Sequence, residues 1–361
     1  MIAPPRPQTR TVSDLGERAL IERITARLAM PSWVVVGPGD DAAVIEPERG
    51  ALDVLTTDVQ VEGVHFDRRF VPPDAIGHRA LAVNLSDLAA MGATPRAVLL
   101  SLVLPDALDV AVVDGMLDGL LTLAAAHNVV VVGGNISRSP GPMMVDVTAI
   151  GAVRPRRLLT RAGAKPGDAV YVTGTVGDAS VGLQSLQEGR LWCAVCQERY
   201  LRPEPRVRAG MLLGRSRAAS ACMDLSDGLG DAVRQVAEAS QAGIALDASA
   251  LPIGDEVRRW HSDHGQRTAD EVVDAVMAGG DDYELLFTVR PAHVGRLRDV
   301  RHSLGNLTIT RIGVVTKERR LAPDPEVDRS PPQPTGSAGR TGSCDWRHRP
   351  QSGSGPRSRI A

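Results

Sequence analysis

Alternating apolar and polar stretches predict helices and strands in turn along the first 155 residues. Apolar residues at helical spacing follow Ser13-Asp14 as far as Leu28, which predicts a first helix capped at Ser13. Two longer apolar stretches, 75–91 and 107–127, predict further helices. Short runs rich in β-branched residues predict strands at 34–36, 42–45, 54–57, 98–104, 129–132 and 145–153. Helices that alternate with strands favour an α/β fold of mixed α+β layers.

A second unit begins near residue 155. Lys165-Pro166-Gly167-Asp168 is a turn sequence, and it leads into a predicted strand, 169–173, and a helix that ends near Gly189. Further helices are predicted at 209–213 and 229–239, and further strands at 244–246, 284–289 and 308–315. We therefore predict two layered domains, residues 1–155 and 156–317.

The apolar periodicity ends near residue 318. Pro, Gly, Ser and Arg dominate from there to the C-terminus. Such a segment cannot bury enough apolar surface to offset its loss of conformational entropy. We therefore expect 318–361 to be a disordered tail outside the fold.

Composition and charge narrow the class of protein. The 361 residues include 41 Lys and Arg against 43 Asp and Glu, and this balance argues against nucleic acid or a membrane surface as a partner. No apolar run approaches the roughly 18 to 20 residues of a membrane span, and the first residues lack the apolar core of a signal peptide. The four cysteines are too few for a disulfide framework, and Cys193-x-x-Cys196 lacks the second pair of a zinc site, so an ordinary helix is favoured there. We expect a soluble, cytoplasmic protein.

Five short segments place aspartates among Gly, Ser and Thr. They are 39–42 (Gly-Asp-Asp-Ala), 56–58 (Thr-Thr-Asp), 84–87 (Asn-Leu-Ser-Asp), 224–228 (Asp-Leu-Ser-Asp-Gly) and 279–282 (Gly-Gly-Asp-Asp). Taken singly, each segment is explained as well by a turn or a helix cap. Together they favour several Mg²⁺ ions, because hard cations prefer carboxylate, water and phosphate oxygens.

The lysines limit the kind of phosphate site. Only Lys165 and Lys317 are present, and neither belongs to a G-x-x-x-x-G-K-S/T loop. The glycine-rich loop and His-Arg-Asp signature of protein kinases are also absent. A bound polyphosphate would therefore depend on metal ions for most of its charge neutralisation.

Taken together over residues 13–317, these segments resemble the thiamine-monophosphate kinase family, within the ATP-binding superfamily of aminoimidazole ribonucleotide synthetase. The matching stretches are 39–43, 56–66, 80–93, 133–134, 159–168, 224–229 and 280–285. The resemblance implies transfer of the γ-phosphoryl group of ATP directly to thiamine monophosphate, which gives thiamine diphosphate and ADP. It also implies an N-terminal sheet domain that dimerises and a C-terminal α/β domain that completes the site.

The resemblance assigns roles to individual residues. The implied Mg²⁺ ligands are Asp41, Thr56, Thr57, Asp58, Asp87, Asp224 and Asp227. Arg161, Ser226, Gly133 and Gly134 are the implied ATP contacts, and His65 and Asp281 the implied contacts with thiamine monophosphate. Asn135 stands where the family usually has a metal-binding Asp, and its amide oxygen is a further candidate ligand that brings no charge.

Two other interpretations stay open at this stage. Another enzyme of the superfamily is one, although a selenophosphate synthetase would need a Cys and a Lys near the N-terminus, where this chain has neither. A degenerate nucleotide-binding protein without catalysis is the other. Asn135 and the missing aromatic segment near the family's C-terminus favour it. A further departure from the family is Asp281, which stands where Glu is more common.

Overall fold

The computed structural model describes residues 10–190, 192–265 and 268–318 in full and residues 327–328 as backbone only, all within one compact unit. The strands are β1 Val34–Val36, β2 Val44–Ile45, β3 Leu52–Val61, β4 Thr94–Pro105, β5 Val130–Ser139, β6 Met144–Val153, β7 Ala169–Thr173, β8 Ala219–Asp224, β9 Gly243–Asp247, β10 Leu285–Val289, β11 Ile309–Thr316 and β12 Val327–Asp328. The helices are α1 Val12–Leu15, α2 Glu17–Thr25, α3 Pro73–Ala90, α4 Val110–Ala126, α5 Asp178–Gln187, α6 Ala194–Leu201, α7 Val207–Ser216, α8 Leu229–Ser240, α9 Asp255–Asp263, α10 Ala269–Ala278 and α11 Val294–Leu304. This confirms the mixed α/β class.

A four-stranded sheet organises the first half of the chain. Its order is β3-β6-β4-β5, with β4 and β5 parallel and the other pairs antiparallel. Along β6, buried Val145, Val147 and Ala149 alternate with half-buried residues, because successive side chains point to opposite faces. The buried face packs against α3, which packs in turn against α4, and the opposite face of the sheet stays partly open.

A six-stranded sheet organises the second half, in the order β12-β9-β11-β7-β10-β8. Both of its faces are covered, which explains why β7 and β10 are almost wholly buried. Tyr171 and Phe287 face the apolar core that also contains α3, whereas Val172 and Leu286 face a second core. The first core therefore extends across both halves, and β8 packs against α3.

The first helix begins earlier than predicted. Thr11, rather than Ser13, is the N-cap of α1, and its hydroxyl accepts the N–H of Asp14 while the Asp14 carboxylate accepts the N–H of Thr11. Gly16 then adopts a φ of +79° and separates α1 from α2. The apolar spacing predicted the helical face correctly, but the capping residue was wrong.

The sequence also missed elements of the second half, namely β8, α9, α10 and α11. In α9 only Val257, Trp260 and His261 are buried, so its apolar pattern is too short to stand out. The helical reading of Cys193-x-x-Cys196 is confirmed, since the Cys193 sulfur accepts the N–H of Cys196 at the start of α6. The domain boundary at residue 155 stays a prediction. The predicted tail, 318–361, lies outside the described residues except for Glu318 and the backbone of β12.

One helix contradicts the expectation that no apolar stretch is long enough to span a membrane. The stretch Val110–His127, which contains α4, has a mean hydropathy of 1.4 and is long enough to cross a membrane by length and composition. Its residues Val113, Met116, Leu117 and Leu120 belong to the core. We therefore interpret α4 as a core helix.

Candidate active site

Carboxylates from three elements meet where β3, α3 and β8 lie together. The Thr56 hydroxyl donates a hydrogen bond to the Asp87 carboxylate and so connects β3 with α3. The Ser86 hydroxyl donates to Oδ2 of Asp224 over 2.7 Å and connects α3 with the end of β8. We call Thr56, Asp58, Asp87, Asp224 and Asp227 the carboxylate cluster.

Burial raises the pKa values of three aspartates in this cluster, and repulsion between carboxylates adds to the shift for two of them. Burial raises the pKa of Asp58 to about 6, and the charges of Asp87, Asp146 and Asp227 add to the shift. Burial, with the charge of Asp87, raises the pKa of Asp224 to about 7. Burial also raises the pKa of Asp87. The ionised forms of these three carboxyl groups are therefore disfavoured, and a bound cation would offset this effect.

Arg161 is a cation close to this cluster. Its charge lowers the pKa values of Asp87 and Asp224 but does not offset the effect of burial. Its guanidinium donates to the side-chain oxygen of Gln235 on α8. The predicted phosphate contact Arg161 thus lies within electrostatic reach of the predicted metal ligands.

The donor atoms of the cluster suit Mg²⁺. All of them are carboxylate or hydroxyl oxygens, which a hard cation prefers. Among the described residues, however, no three His, Cys, Asp or Glu side chains come close enough to hold one ion. In Mg²⁺ sites, one or two carboxylates commonly act together with water and substrate phosphates.

The remaining predicted metal ligands lie elsewhere. Asp41 and Asn135 line a cavity of about 730 Å³ beside α2 on the open face of the four-stranded sheet. Thr57 alternates with Thr56 and Asp58 along β3, so its side chain points to that open face. The hydroxyl groups of Thr57 and Thr148 form a hydrogen bond of 3.0 Å. The predicted set is therefore divided between two faces of one sheet.

Gly133 and Gly134 line this open-face cavity as well. A Cβ atom on Gly134 would lie 1.8 Å from the carbonyl oxygen of Leu100 on the neighbouring strand. A Cβ on Gly133 would lie 3.3 Å from a Leu99 methyl group. Close strand packing alone therefore accounts for Gly134, whereas Gly133 has more room.

The two predicted substrate contacts meet in a second cavity, of about 690 Å³. His65 and Asp281 both line it, together with Arg79, Tyr200 and Tyr283. Nδ1 of His65 accepts the backbone N–H of Val61 at 3.1 Å, which leaves Nε2 as the ring nitrogen that carries the proton in neutral His65. We call this space the acceptor cavity.

Three elements connect the acceptor cavity with the carboxylate cluster. Arg79 and Asp87 both lie on α3, eight residues apart, which corresponds to about 12 Å along a helix. Gln60 lines the cavity two residues after Asp58 on β3, about 7 Å along a strand. The backbone N–H of Asp281 donates to Ser226 O at 2.8 Å, which joins the Asp281 loop to the loop that carries Asp227.

Sequence reasoning missed several residues of this region. Asp146 on β6 accepts a hydrogen bond from Thr57 at 3.1 Å and acts electrostatically on Asp58, but no motif marks it. Tyr200 gave no signal either. Arg79 does carry a signal in the sequence, because it is a charged residue inside a helix that is otherwise buried and largely apolar.

Two family models match most of this chain. Residues 39–153 match the family model of the AIR synthase related protein N-terminal domain, and residues 165–324 match that of the C-terminal domain. The thiamine-monophosphate kinase of Escherichia coli strain K12 is 40% identical over 313 residues, which cover 84% of this chain and 91% of that protein.

Two solved structures are also similar. The thiamine-monophosphate kinase of Stenotrophomonas maltophilia K279a has a TM-score of 0.73 at 37% identity, over 83% of this chain and 93% of that one. The structure described as AaThiL complexed with AMPPCP and TMP has a TM-score of 0.66 at 32% identity, over 86% of this chain and 94% of that one.

Proposed function

We propose that this chain, which belongs to the thiamine-monophosphate kinase family, transfers the γ-phosphoryl group of ATP to the phosphate of thiamine monophosphate. The products are thiamine diphosphate and ADP. The observation that carries the proposal is the acceptor cavity with His65 and Asp281, connected through α3 and β3 to the carboxylate cluster. The relative complexed with AMPPCP and TMP supports both substrates.

The acceptor determines what the protein must supply. A phosphate oxygen is already ionised near neutral pH, so no general base is required to make it a nucleophile. We accordingly assign none. The main barrier is the approach of two anions, and positioning with charge neutralisation is the usual solution in phosphoryl transfer.

The chain's own residues position the two substrates. His65 and Asp281 hold thiamine monophosphate in the acceptor cavity, and Arg161 and Ser226 contact the phosphates of ATP. Gly133 and Gly134 line the nucleotide side on the open face of the sheet, where backbone can approach a ligand closely. The Arg161 guanidinium brings a fixed positive charge toward the transferred group.

Several Mg²⁺ ions fit this proposal. Thr56, Asp58, Asp87, Asp224 and Asp227 would hold them on the helix side of the sheet, and Asp41, Thr57 and Asn135 on the open face. Bound Mg²⁺ would supply neutralisation of phosphate charge and alignment of donor and acceptor oxygens. The raised pKa values of Asp58 and Asp224 support this, because an uncompensated carboxylate cluster favours a bound cation.

We also propose that the enzyme is a cytoplasmic homodimer. The open face of the four-stranded sheet supports an association through that sheet. The described cysteines, Cys193, Cys196 and Cys222, are free, as is usual in a reducing compartment.

A non-catalytic nucleotide-binding protein is the second candidate. Asn135 favours it, because it removes one negative charge from the family's metal ligands. Asp146 lies level with Asn135 across the sheet. Asn135 on β5 and Asp146 on β6 pair with Ser101 of β4 from its two sides. A carboxylate is therefore still present on that face.

One assay distinguishes these functions. Purified protein is incubated with ATP, Mg²⁺ and thiamine monophosphate, and thiamine diphosphate and ADP are separated by chromatography. We expect both products in equal amounts, and a loss of at least about a hundredfold in kcat for Asp87→Asn, which removes charge with little change in shape. ATP binding without formation of thiamine diphosphate would instead support the non-catalytic candidate.

A further inference from the structure

Arg79 is a charged residue in the interior of the protein. Its side chain is only 2% exposed, yet it reaches the wall of the acceptor cavity from α3. Its guanidinium donates to Oδ1 of Asp281 at 3.2 Å and to the carbonyl oxygen of Tyr200. With so little accessible surface, Arg79 can act on a ligand in the cavity only through the residues that it contacts.

The two oxygens of the Asp281 carboxylate differ in their partners. Oδ1 accepts from Arg79 and also from the Tyr283 hydroxyl, at 3.0 Å. Among the described residues, no hydrogen bond reaches Oδ2. Since the Asp281 side chain is 33% exposed and lines the cavity, Oδ2 is the oxygen left for a ligand.

The backbone around Asp281 is held in an uncommon conformation. Asp281 has a φ of +68° and Tyr283 a φ of +49°, both in the left-handed region that is unfavourable for a non-glycine residue. Hydrogen bonds from the N–H groups of Asp281 and Tyr283 to Ser226 and Leu225 keep the loop in place. The contact with Arg79 fixes the side chain on this constrained backbone.

Arg79 also reaches the second predicted substrate contact. Its guanidinium lies 4.3 Å from the centroid of the Tyr200 ring. The Tyr200 hydroxyl in turn donates to the carbonyl oxygen of His65 at 3.2 Å. One side chain is therefore coupled to both walls of the cavity.

Stability alone explains Arg79 poorly. Its Nε has no hydrogen-bond partner among the described residues, and a buried donor without a partner is costly. A buried ion pair is often replaced by apolar residues without loss of stability. The arrangement is better explained by what it does to the cavity wall.

We propose that Arg79 is a positioning residue for the acceptor. It occupies Oδ1 of Asp281 and so presents Oδ2 to an N–H donor or a cationic ring of the ligand. This inference rests on the proposed function, since thiamine monophosphate carries both an amino group and a positively charged ring. It predicts that the affinity for this substrate, and not that for ATP, depends on Arg79.

The test compares Arg79→Met and Arg79→Lys with the wild type in steady-state assays. We expect Arg79→Met to raise the KM for thiamine monophosphate at least tenfold, to leave the KM for ATP within about twofold, and to lose less in kcat than in kcat/KM. Arg79→Lys should recover part of the loss, because lysine restores the charge but not the forked geometry. Arg202→Met is the matched control, since Arg202 joins α3 and α6 through Asp74 and Glu198 but does not line the cavity.

A double variant separates positioning from a structural role. In an Asp281→Asn background, Arg79→Met should raise the KM for thiamine monophosphate much less than it does in the wild type, because most of its effect is transmitted through Asp281 and only the remainder through Tyr200. Additive effects, or an unchanged KM in Arg79→Met, would overturn the inference. If Arg79→Met does not fold, Tyr283→Phe tests the same oxygen by removing one donor to Oδ1, and an unchanged KM there would count against the proposal equally.

Failure of the proposed function is recognised separately. It would appear as wild-type protein that forms no thiamine diphosphate. Titration calorimetry with thiamine monophosphate alone then gives the same comparison without turnover. Equal Kd values for wild type and Arg79→Met would overturn the inference, and a tenfold weaker Kd would support it.

Discussion

Asp58 and Asp224 hold protons more tightly than ordinary aspartates. Burial is the first cause for both, and neighbouring carboxylates add to it, which raises their pKa values to about 6 and about 7 from 3.8. The sequence predicted that these residues converge, because they stand in similar Asp-rich motifs. It could not predict the degree of burial, which depends on how α3 and β8 cover β3.

These pKa values predict how stability depends on pH. Between about pH 4 and about pH 7 the folded protein retains protons that the unfolded chain has released, so its free energy of unfolding should fall as the pH rises. Added Mg²⁺ should oppose this fall, because it binds the ionised carboxylates. Thermal unfolding with and without millimolar Mg²⁺ should therefore show a larger gain in Tm at about pH 8 than at about pH 5.5.

The variant Asp58→Asn/Asp224→Asn provides the control for this prediction. It removes two of the carboxyl groups with raised pKa values and leaves Asp87 and Asp282 in place, so the metal-free protein should lose part of its pH dependence in that interval. An unchanged slope in the variant would assign the pH dependence to other groups.

At the level of elements, α3 and α4 pack with their backbones in unusually close contact. A Cβ on Gly77 of α3 would lie 1.8 Å from the carbonyl oxygen of Met116 on α4. A Cβ on Gly119 of α4 would lie 1.8 Å from the carbonyl oxygen of Asp74 on α3. The two glycines therefore determine how closely the helices approach.

Two glycine substitutions, one at this contact and one far from it, should have opposite effects on stability. Gly77→Ala should lower the free energy of unfolding by at least about 2 kcal/mol, because the added methyl group forces the helices apart. Gly295→Ala in α11 has no atom within 4 Å of the new Cβ and should raise it by about 0.5 to 1 kcal/mol. Urea unfolding of both variants measures the difference, and a neutral Gly77→Ala would show that the helices can separate at little cost.

The elements differ in how far the sequence predicted them. Long amphipathic or apolar segments such as α3 and β6 were predicted well, because their patterns persist over many residues. The strand β8, Ala219–Asp224, was missed because Ala, Ser and Met carry little strand preference, and its pairing with β10 is a long-range contact. Arg79 stood out as a charged residue in an apolar helix, but its place in the site was missed because its partner Asp281 lies 202 positions away.

For the whole molecule, the open face of the four-stranded sheet is the main unexplained surface. Leu55 and Val59 on β3 are 66% and 43% exposed on that face. Exposed apolar residues on a sheet face are typical of an interaction surface. The proposed homodimer would cover them.

Sedimentation velocity tests this assembly. We expect the wild type to sediment as a dimer at micromolar concentration, and Leu55→Asp to sediment as a monomer because it places a charge in the buried interface. Val294→Asp is the control, since Val294 is also exposed but lies on α11 in the other half. A monomeric wild type would contradict the proposed dimer.

The close contact between α3 and α4 has a consequence for the choice of acceptor. Arg79 and Asp87 are about 12 Å apart along α3, and the backbone contact at Gly77 leaves that helix little freedom to slide or bend. The reach from the acceptor cavity to the carboxylate cluster is therefore constant. An acceptor that ends in an alcohol, one phosphate shorter, would stop before the transferred group, and one that is a phosphate longer would overlap it. The enzyme would then choose among thiamine, its monophosphate and its diphosphate by molecular length, even though all three present the same rings to the cavity.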